Sequence, residues 1–369
     1  MMRVFLTIVS LLALLWAGPG YAESFKVAAI FAKTGQAASQ NADNLRGVRL
    51  AAAEINARGG ILGEPLEIFE LDNRSTPIGA KVAAEEAARI GVRAIVGCSW
   101  SSHSLAAAQV AQRHGIPMIS DISTSPALTQ VGDYIFRVCY TDAFQGKVMA
   151  RFAREDLRAG TAVVLVDIDD DYSLDLAKEF SREFTLRGGI MAPDIHYKHG
   201  QPSYREVVQA AKAAKAQVCF IPGHDESGTI AAQIVREGAT CILLGGDGWD
   251  SPAFYAKGGS ELDDGYYCTH WHPRSATPAS LDLMVRQGEA ELVAPVVLAY
   301  DALMLLADAA ARAGTPDRAA IRDALANTRN YPGVTGAISF LANGDPAKSA
   351  VIMRIRKGKQ AYYRNEDPN

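Results

Sequence analysis

Three loops carry residue types that can grip a small charged molecule. Ser101 and Thr124 lie in loops rich in Ser and Thr, CSWSSHS (98–104) and DISTSP (121–126), each read as the approach to a helix. At a helix start the free backbone N–H groups and the helix dipole favour an anion such as a carboxylate. Asp247, between Gly246 and Gly248 in GDGWDSP (246–252), follows a strand-like run and offers its own carboxylate to an ammonium. Hydrogen-bond donors on one side and an acid on the other suit a zwitterion. The residues alone leave a second reading open, with Ser101 and Thr124 as plain N-caps and Asp247 as a turn residue.

Other chemistries find less support. Gly97-Cys98-Ser99-Trp100-Ser101 lacks the second glycine of a nucleophile elbow, G-x-S-x-G. No G-x-G-x-x-G follows the first strand, and no G-x-x-x-x-G-K-[ST] occurs, so dinucleotide and phosphate-loop chemistry lack their signatures. His270 and His272 flank Trp271 and would share a strand face, but a rim position without metal is expected. Asp167, Asp169, Asp170 and Asp171 do not have EF-hand spacing, and a solvated, helix-capping loop is expected there. The five cysteines, Cys98, Cys139, Cys219, Cys241 and Cys268, sit in or beside strand-like runs without any C-x-x-C. They read as small buried hydrophobes, with at least one unpaired.

The elements that must hold these loops alternate. FKVAAIF (25–31), LEIFELD (66–72), RAIVG (93–97) and PMIS (117–120) read as strands, separated by helical spacing over 41–58, 77–90 and 102–114. A second series has strands at 161–167, 189–197, 218–222 and 241–246, with helices at 173–187, 204–214 and 229–237. Continuous apolar strands alternating with helices predict parallel sheets covered on both faces. Two series predict two doubly wound α/β lobes, and ligands of such lobes bind where loops leave the carboxyl ends of the strands. Residues 294–313 read as a long helix rich in Ala and Leu, 316–326 as a second, and the tail as short strands with a turn at 343–345.

The chain has 369 residues, 49% hydrophobic and 21% charged, which excludes disordered, collagenous and coiled-coil classes. Its 37 Lys and Arg against 41 Asp and Glu give a net charge of −4, so no basic field invites nucleic acid or anionic lipid. Arg3, an apolar run over 4–16 and small residues at Gly20 and Ala22 read as a cleaved secretory signal over 1–22. No Cys sits at the expected cleavage point, so no lipid anchor is expected, and a soluble mature chain beginning near Glu23 is.

At these same stretches the chain resembles the periplasmic solute-binding proteins of branched-chain and hydrophobic amino acid ABC transporters. The matching segments include TGQAA (34–38), GVRLAAAEINARGGILGEPLEI (47–68), IVGCSWSS (95–102), IPMISDISTSPALT (116–129), FRVCYTDAFQGKVMA (136–150), LLGGDGWDSP (243–252) and GVTGAISFLANGDPAKSAVIMRIRKGK (333–359). The resemblance implies the type I periplasmic binding fold, two lobes joined by a three-strand hinge crossing near 139–141, 269–272 and 341–343. It places lobe one at 24–140 plus 272–341 and lobe two at 141–271 plus 342–369. It implies a ligand carboxylate held by Ser101 and by groups of Ile122, Ser123 and Thr124, with the Trp100 backbone beside it. Tyr172, His224 and Asp247 would contact the ligand from lobe two, Asp247 receiving its ammonium.

The same resemblance implies a monomeric periplasmic protein with no cofactor, no metal and no catalysis, which hands its amino acid to a membrane permease. A sensor module for a receptor, or a binder of an amide, urea or aromatic acid, stands as the alternative. Some positions depart from the family pattern. Ser75 and Trp100 stand where some members have a disulfide, Gln40 where an aromatic residue often packs on the ligand, and His224 where tyrosine is frequent. Asp121 stands where a small residue or proline is usual, and the segment 273–299 is short. Gln40 therefore implies a more polar or larger ligand, or different loop packing.

Overall fold

The computed structural model describes residues 23–288 and 292–367. The expected export signal, 1–22, and part of the shortened segment, 289–291, lie outside the described residues. Two sheets organise the rest. In the first, β1 (Phe25–Phe31), β2 (Leu66–Asp72), β3 (Ala94–Gly97), β4 (Met118–Ser120) and β5 (Ile135–Arg137) run parallel in the order β2-β1-β3-β4-β5. β3 and β4 are wholly buried and β1 nearly so. That burial on both faces is why their sequences read as unbroken apolar runs.

Helices α1 (Ala38–Ala57), α2 (Pro77–Ile90) and α3 (Ser101–Arg113) connect these strands. α2 shows how sequence sets such bounds. Thr76 accepts a hydrogen bond from the Gly79 N–H, Pro77 occupies the first turn, and Gly91 closes the helix with φ of 78°.

The second lobe contains α4 (Asp142–Arg151), β6 (Thr161–Asp167), α5 (Asp171–Leu186), β7 (Ile190–Met191), β8 (Ile195–Tyr197), α6 (Arg205–Ala214), β9 (Val218–Ile221), α7 (Glu226–Arg236), β10 (Ile242–Gly245), α8 (Pro252–Gly258) and β11 (Gly265–Thr269). The strands from β6 to β11 pair in parallel. The expected single strand over 189–197 is two short ones, broken where Pro193 supplies no N–H for pairing.

The chain then returns to lobe one. It adds α9 (Pro278–Gln287), α10 (Ala294–Ala313), α11 (Arg318–Ala326) and a small hairpin of β12 (Tyr331–Gly333) and β13 (Gly336–Ile338). α10 is long and apolar enough to cross a membrane, yet it is mostly buried in the lobe-one core beside α1. Its composition reflects burial on nearly every side.

Finally β14 (Ala350–Arg356) joins β11 antiparallel and β15 (Lys359–Glu366) joins β14. The second sheet is therefore mixed rather than purely parallel. The turn at 343–345 lies in the connection between lobes, where the Asn343 side chain accepts from the Asp345 N–H, and it is flanked by a lone antiparallel bridge between Phe340 and Pro346 rather than by full strands. The chain passes between the sheets after β5, after β11 and between β13 and β14.

Candidate ligand-binding site

The loops that leave β3, β4, β9 and β10 meet between the lobes and line a partly open cleft. On the lobe-one side, Ser101 is the first residue of α3. Its N-cap, Trp100, makes no side-chain capping bond, so the first-turn N–H groups lack the side-chain partner that Thr76 gives α2. The Ser101 Oγ accepts from the Ser125 N–H at 3.2 Å, which leaves the hydroxyl proton free to donate into the cleft. Ile122 and Thr124 complete this wall. Uncapped N–H groups, a helix dipole and a hydroxyl donor together make an anion seat.

Asp247 faces it from lobe two and is buried. Its Oδ1 accepts from Gln145 Nε2 at 2.9 Å, its Oδ2 lies 3.0 Å from His270 Nε2, and its own N–H donates to Gln145 Oε1. Burial pushes the Asp247 carboxyl up, but hydrogen bonds from His270, Gln145 and Tyr172 outweigh it and hold the group below the usual carboxylate range. Asp247 is therefore an anion at neutral pH. Behind it, Asp142 shares Gln145 and is pushed well above its ordinary value, first by burial and then by the Asp247 charge. The two carboxyls are thus driven apart, Asp247 toward its ionised form and Asp142 toward its neutral one.

The two glycines beside Asp247 permit this packing. A Cβ on Gly248 would meet the Gly223 carbonyl oxygen at 2.5 Å, and one on Gly246 would meet the Tyr172 hydroxyl at 2.4 Å. The Tyr172 hydroxyl instead accepts from the Gly248 N–H at 3.1 Å.

An aromatic stack closes one side of the cleft. Trp100 from lobe one lies parallel to His224 from lobe two, with ring centroids 4.1 Å apart, and His224 stacks in turn on Tyr172. His224 Nε2 is 3.3 Å from Asp170. Burial lowers the His224 pKa, but Asp170 outweighs it and raises the imidazole above its ordinary value. Gln40 lines the cleft, and its side-chain oxygen accepts from the Trp100 indole at 2.6 Å. The glutamine thus serves loop packing, one of the options its departure from an aromatic residue had left open.

Gln40, Trp100, Ser101, Ile122, Thr124, Tyr172, His224 and Asp247 all line one cavity. Ser123 does not. Its Oγ donates to the Ser99 carbonyl, and its own carbonyl accepts from Arg137 and Cys139, so it fastens the loop from behind. Thr124 does not begin a helix either, since the next helical turn starts at Thr129. His270 is not a rim residue but the buried partner of Asp247, whereas His272 caps a short turn.

The acidic run is not simply solvated, because Asp167 and Asp170 are buried. Cys219 and Cys241, read as small buried hydrophobes with their pairing left open, form a disulfide between the starts of neighbouring strands, while Cys98, Cys139 and Cys268 are free and buried. Asn44 and Pro295 also line the cleft with no motif to mark them, as does Asp250 of the GDGWDSP loop. Arg137 was missed too. It is fully buried, donates to the carbonyls of Ser123 and Ser125, and pairs with Asp345 at 2.7 Å. A charged residue inside the apolar run IFRVCY was its one sequence signal.

The family model described as "Periplasmic binding protein" matches residues 24–360. The leucine-binding protein LivK of Thermotoga maritima is similar in structure, with a TM-score of 0.89, 32% identity, and 93% of this chain and 99% of that one covered. The LivJ substrate-binding protein of Streptococcus pneumoniae, solved with isoleucine, gives a TM-score of 0.86 at 29% identity, covering 94% and 99%. A Leu/Ile/Val-binding protein homolog of Brucella melitensis is 27% identical over 338 residues, 89% of this chain and 90% of that protein. Two α/β lobes around a shared cleft, matched along nearly their whole length, make this chain a member of the periplasmic binding protein family.

Proposed function

We propose that the protein captures a branched-chain α-amino acid in its inter-lobe cleft and delivers it to the membrane permease of an ABC transporter. The observation that carries this reading is the opposition of the uncapped α3 N-terminus, with Ser101, to the buried carboxylate of Asp247. A carboxylate ligand group satisfies the first, and an ammonium satisfies the second. A buried acid is tolerated only when its charge is paired, and the ligand ammonium supplies that charge beside the hydrogen bonds of Gln145 and His270. Between the two ends, Pro295 and the Trp100–His224 stack offer apolar surface to a ligand side chain. The leucine and isoleucine in the names of the related proteins support the branched-chain class.

A ligand touching both lobes stabilises the closed arrangement by its differential contacts, with the three crossing segments as the hinge. The ligand leaves unaltered, without covalent chemistry. Residues 1–22 serve as an export signal, and the mature chain acts in the periplasm as a monomer. A micromolar dissociation constant, about −8 kcal/mol, is the expected strength. A thermal-shift screen of amino acids, amides and carboxylates tests this. Leucine, isoleucine or valine should raise the melting midpoint. A shift confined to carboxylates that lack an amino group would refute the assignment.

A further inference from the structure

Outside the ligand cleft, Asp167 at the end of β6, His199 just after β8 and Glu226 at the start of α7 converge. Each offers one ligand atom, and the three atoms lie within 4.8 Å of one another. His199 Nδ1 is 3.2 Å from Glu226 Oε2 and 3.5 Å from Asp167 Oδ2. A tetrahedral metal ion with bonds of about 2.0–2.2 Å spaces its ligand atoms about 3.3–3.6 Å apart, so these two edges already have the dimensions of a metal tetrahedron.

The far oxygen of each carboxylate is occupied. Glu226 Oε1 accepts from the Tyr197 hydroxyl at 2.9 Å and from the His224 N–H at 3.1 Å. Asp167 Oδ1 accepts from the N–H groups of Asp169 at 3.1 Å and His199 at 3.2 Å. These bonds aim the near oxygens at one point, as outer partners of metal ligands do. Glu226 is only 4% exposed, and its Oε2 is turned to the His199 imidazole rather than to the groups that hold Oε1. His199 borders an open groove shared with Asp169 and Asp170, which gives an ion a path from solvent.

We propose that Asp167, His199 and Glu226 form a divalent metal site of the zinc class on lobe two, with water as the fourth ligand. One imidazole with two carboxylates suits zinc or cobalt, whereas calcium and magnesium favour all-oxygen shells. The ion ties β6, β8 and α7 together, and through Glu226 it steadies the loop that carries His224.

The test uses the tag-free mature chain, stripped with chelator and titrated with zinc by calorimetry and with cobalt by absorption spectroscopy. One zinc per chain, a tetrahedral cobalt spectrum and a higher melting midpoint are expected. Glu226→Gln should weaken zinc binding by at least about 100-fold, and Tyr197→Phe, which alters only the outer shell, by about 10–100-fold. If Glu226→Gln does not fold, Tyr197→Phe decides. No binding of either metal at millimolar concentration, or zinc binding unchanged in the folded variants, overturns the proposal.

Discussion

Replacing Asp247 by Asn removes one charge and keeps the shape of the side chain. The carboxylate is buried and already bonded to Gln145 and His270 at 2.9 and 3.0 Å, so an ammonium beside it has little water to fall back on. Truncating one member of such a desolvated pair costs about 2–5 kcal/mol of binding. At about 1.4 kcal/mol per tenfold, leucine affinity should fall roughly 30- to 4,000-fold. Titration calorimetry of the wild type and Asp247→Asn measures this, with thermal unfolding as the control for fold. The same pair titrated with 4-methylpentanoate, which lacks the amino group, completes a double-mutant cycle. The variant should bind that acid no worse than the wild type does. Leucine affinity within about threefold of wild type in a folded variant, or an equal loss for both ligands, refutes the ammonium assignment.

Three further outcomes follow from other parts of the structure. Ser101→Ala removes a hydroxyl donor from the anion seat and should cost about 1–3 kcal/mol of leucine binding by calorimetry; an unchanged affinity contradicts that role. Arg137→Met removes the ion-pair partner of Asp345 and a donor from the Ser123 and Ser125 carbonyls, and should cost about 3–5 kcal/mol of stability in urea denaturation; a midpoint equal to wild type would be the contrary result. Burial pushes the His103 imidazole down to about 4, against an ordinary value of 6.5. Its unfolded form therefore takes up a proton first, and its share of stability is present above about 6.5 and is lost as pH falls through 4. His103→Phe should lose less stability than wild type between pH 7 and pH 5, and equal losses would contradict this.

The alternating strands and helices were legible because both sheets are covered on two faces, which leaves long apolar runs such as TAVVLVD in β6. The antiparallel β14 and β15, expected as short strands, run 7 and 8 residues, and nothing in a strand's own sequence says which sheet it joins. Cleft residues were readable where a loop follows a strand, as at Ser101 and Asp247. The support behind them was not. Gln145 and His270 reach Asp247 from separate elements, Gln145 from α4 and His270 from the segment after β11. No local pattern encodes a contact over such sequence distances. Ser123 was misjudged because adjacent loop residues alternate in direction, so it points at Ser99 and Ser104 while Thr124 faces the cleft. The Cys219–Cys241 disulfide depends on strand register, which composition does not reveal.

A crystal structure grown with the amino acid that binds most tightly tests the central claim most directly. The account predicts the ligand ammonium within hydrogen-bonding distance of Asp247 and its carboxylate on Ser101 and the first turn of α3. A ligand bound in the reverse orientation, or outside the cleft between the lobes, would contradict it.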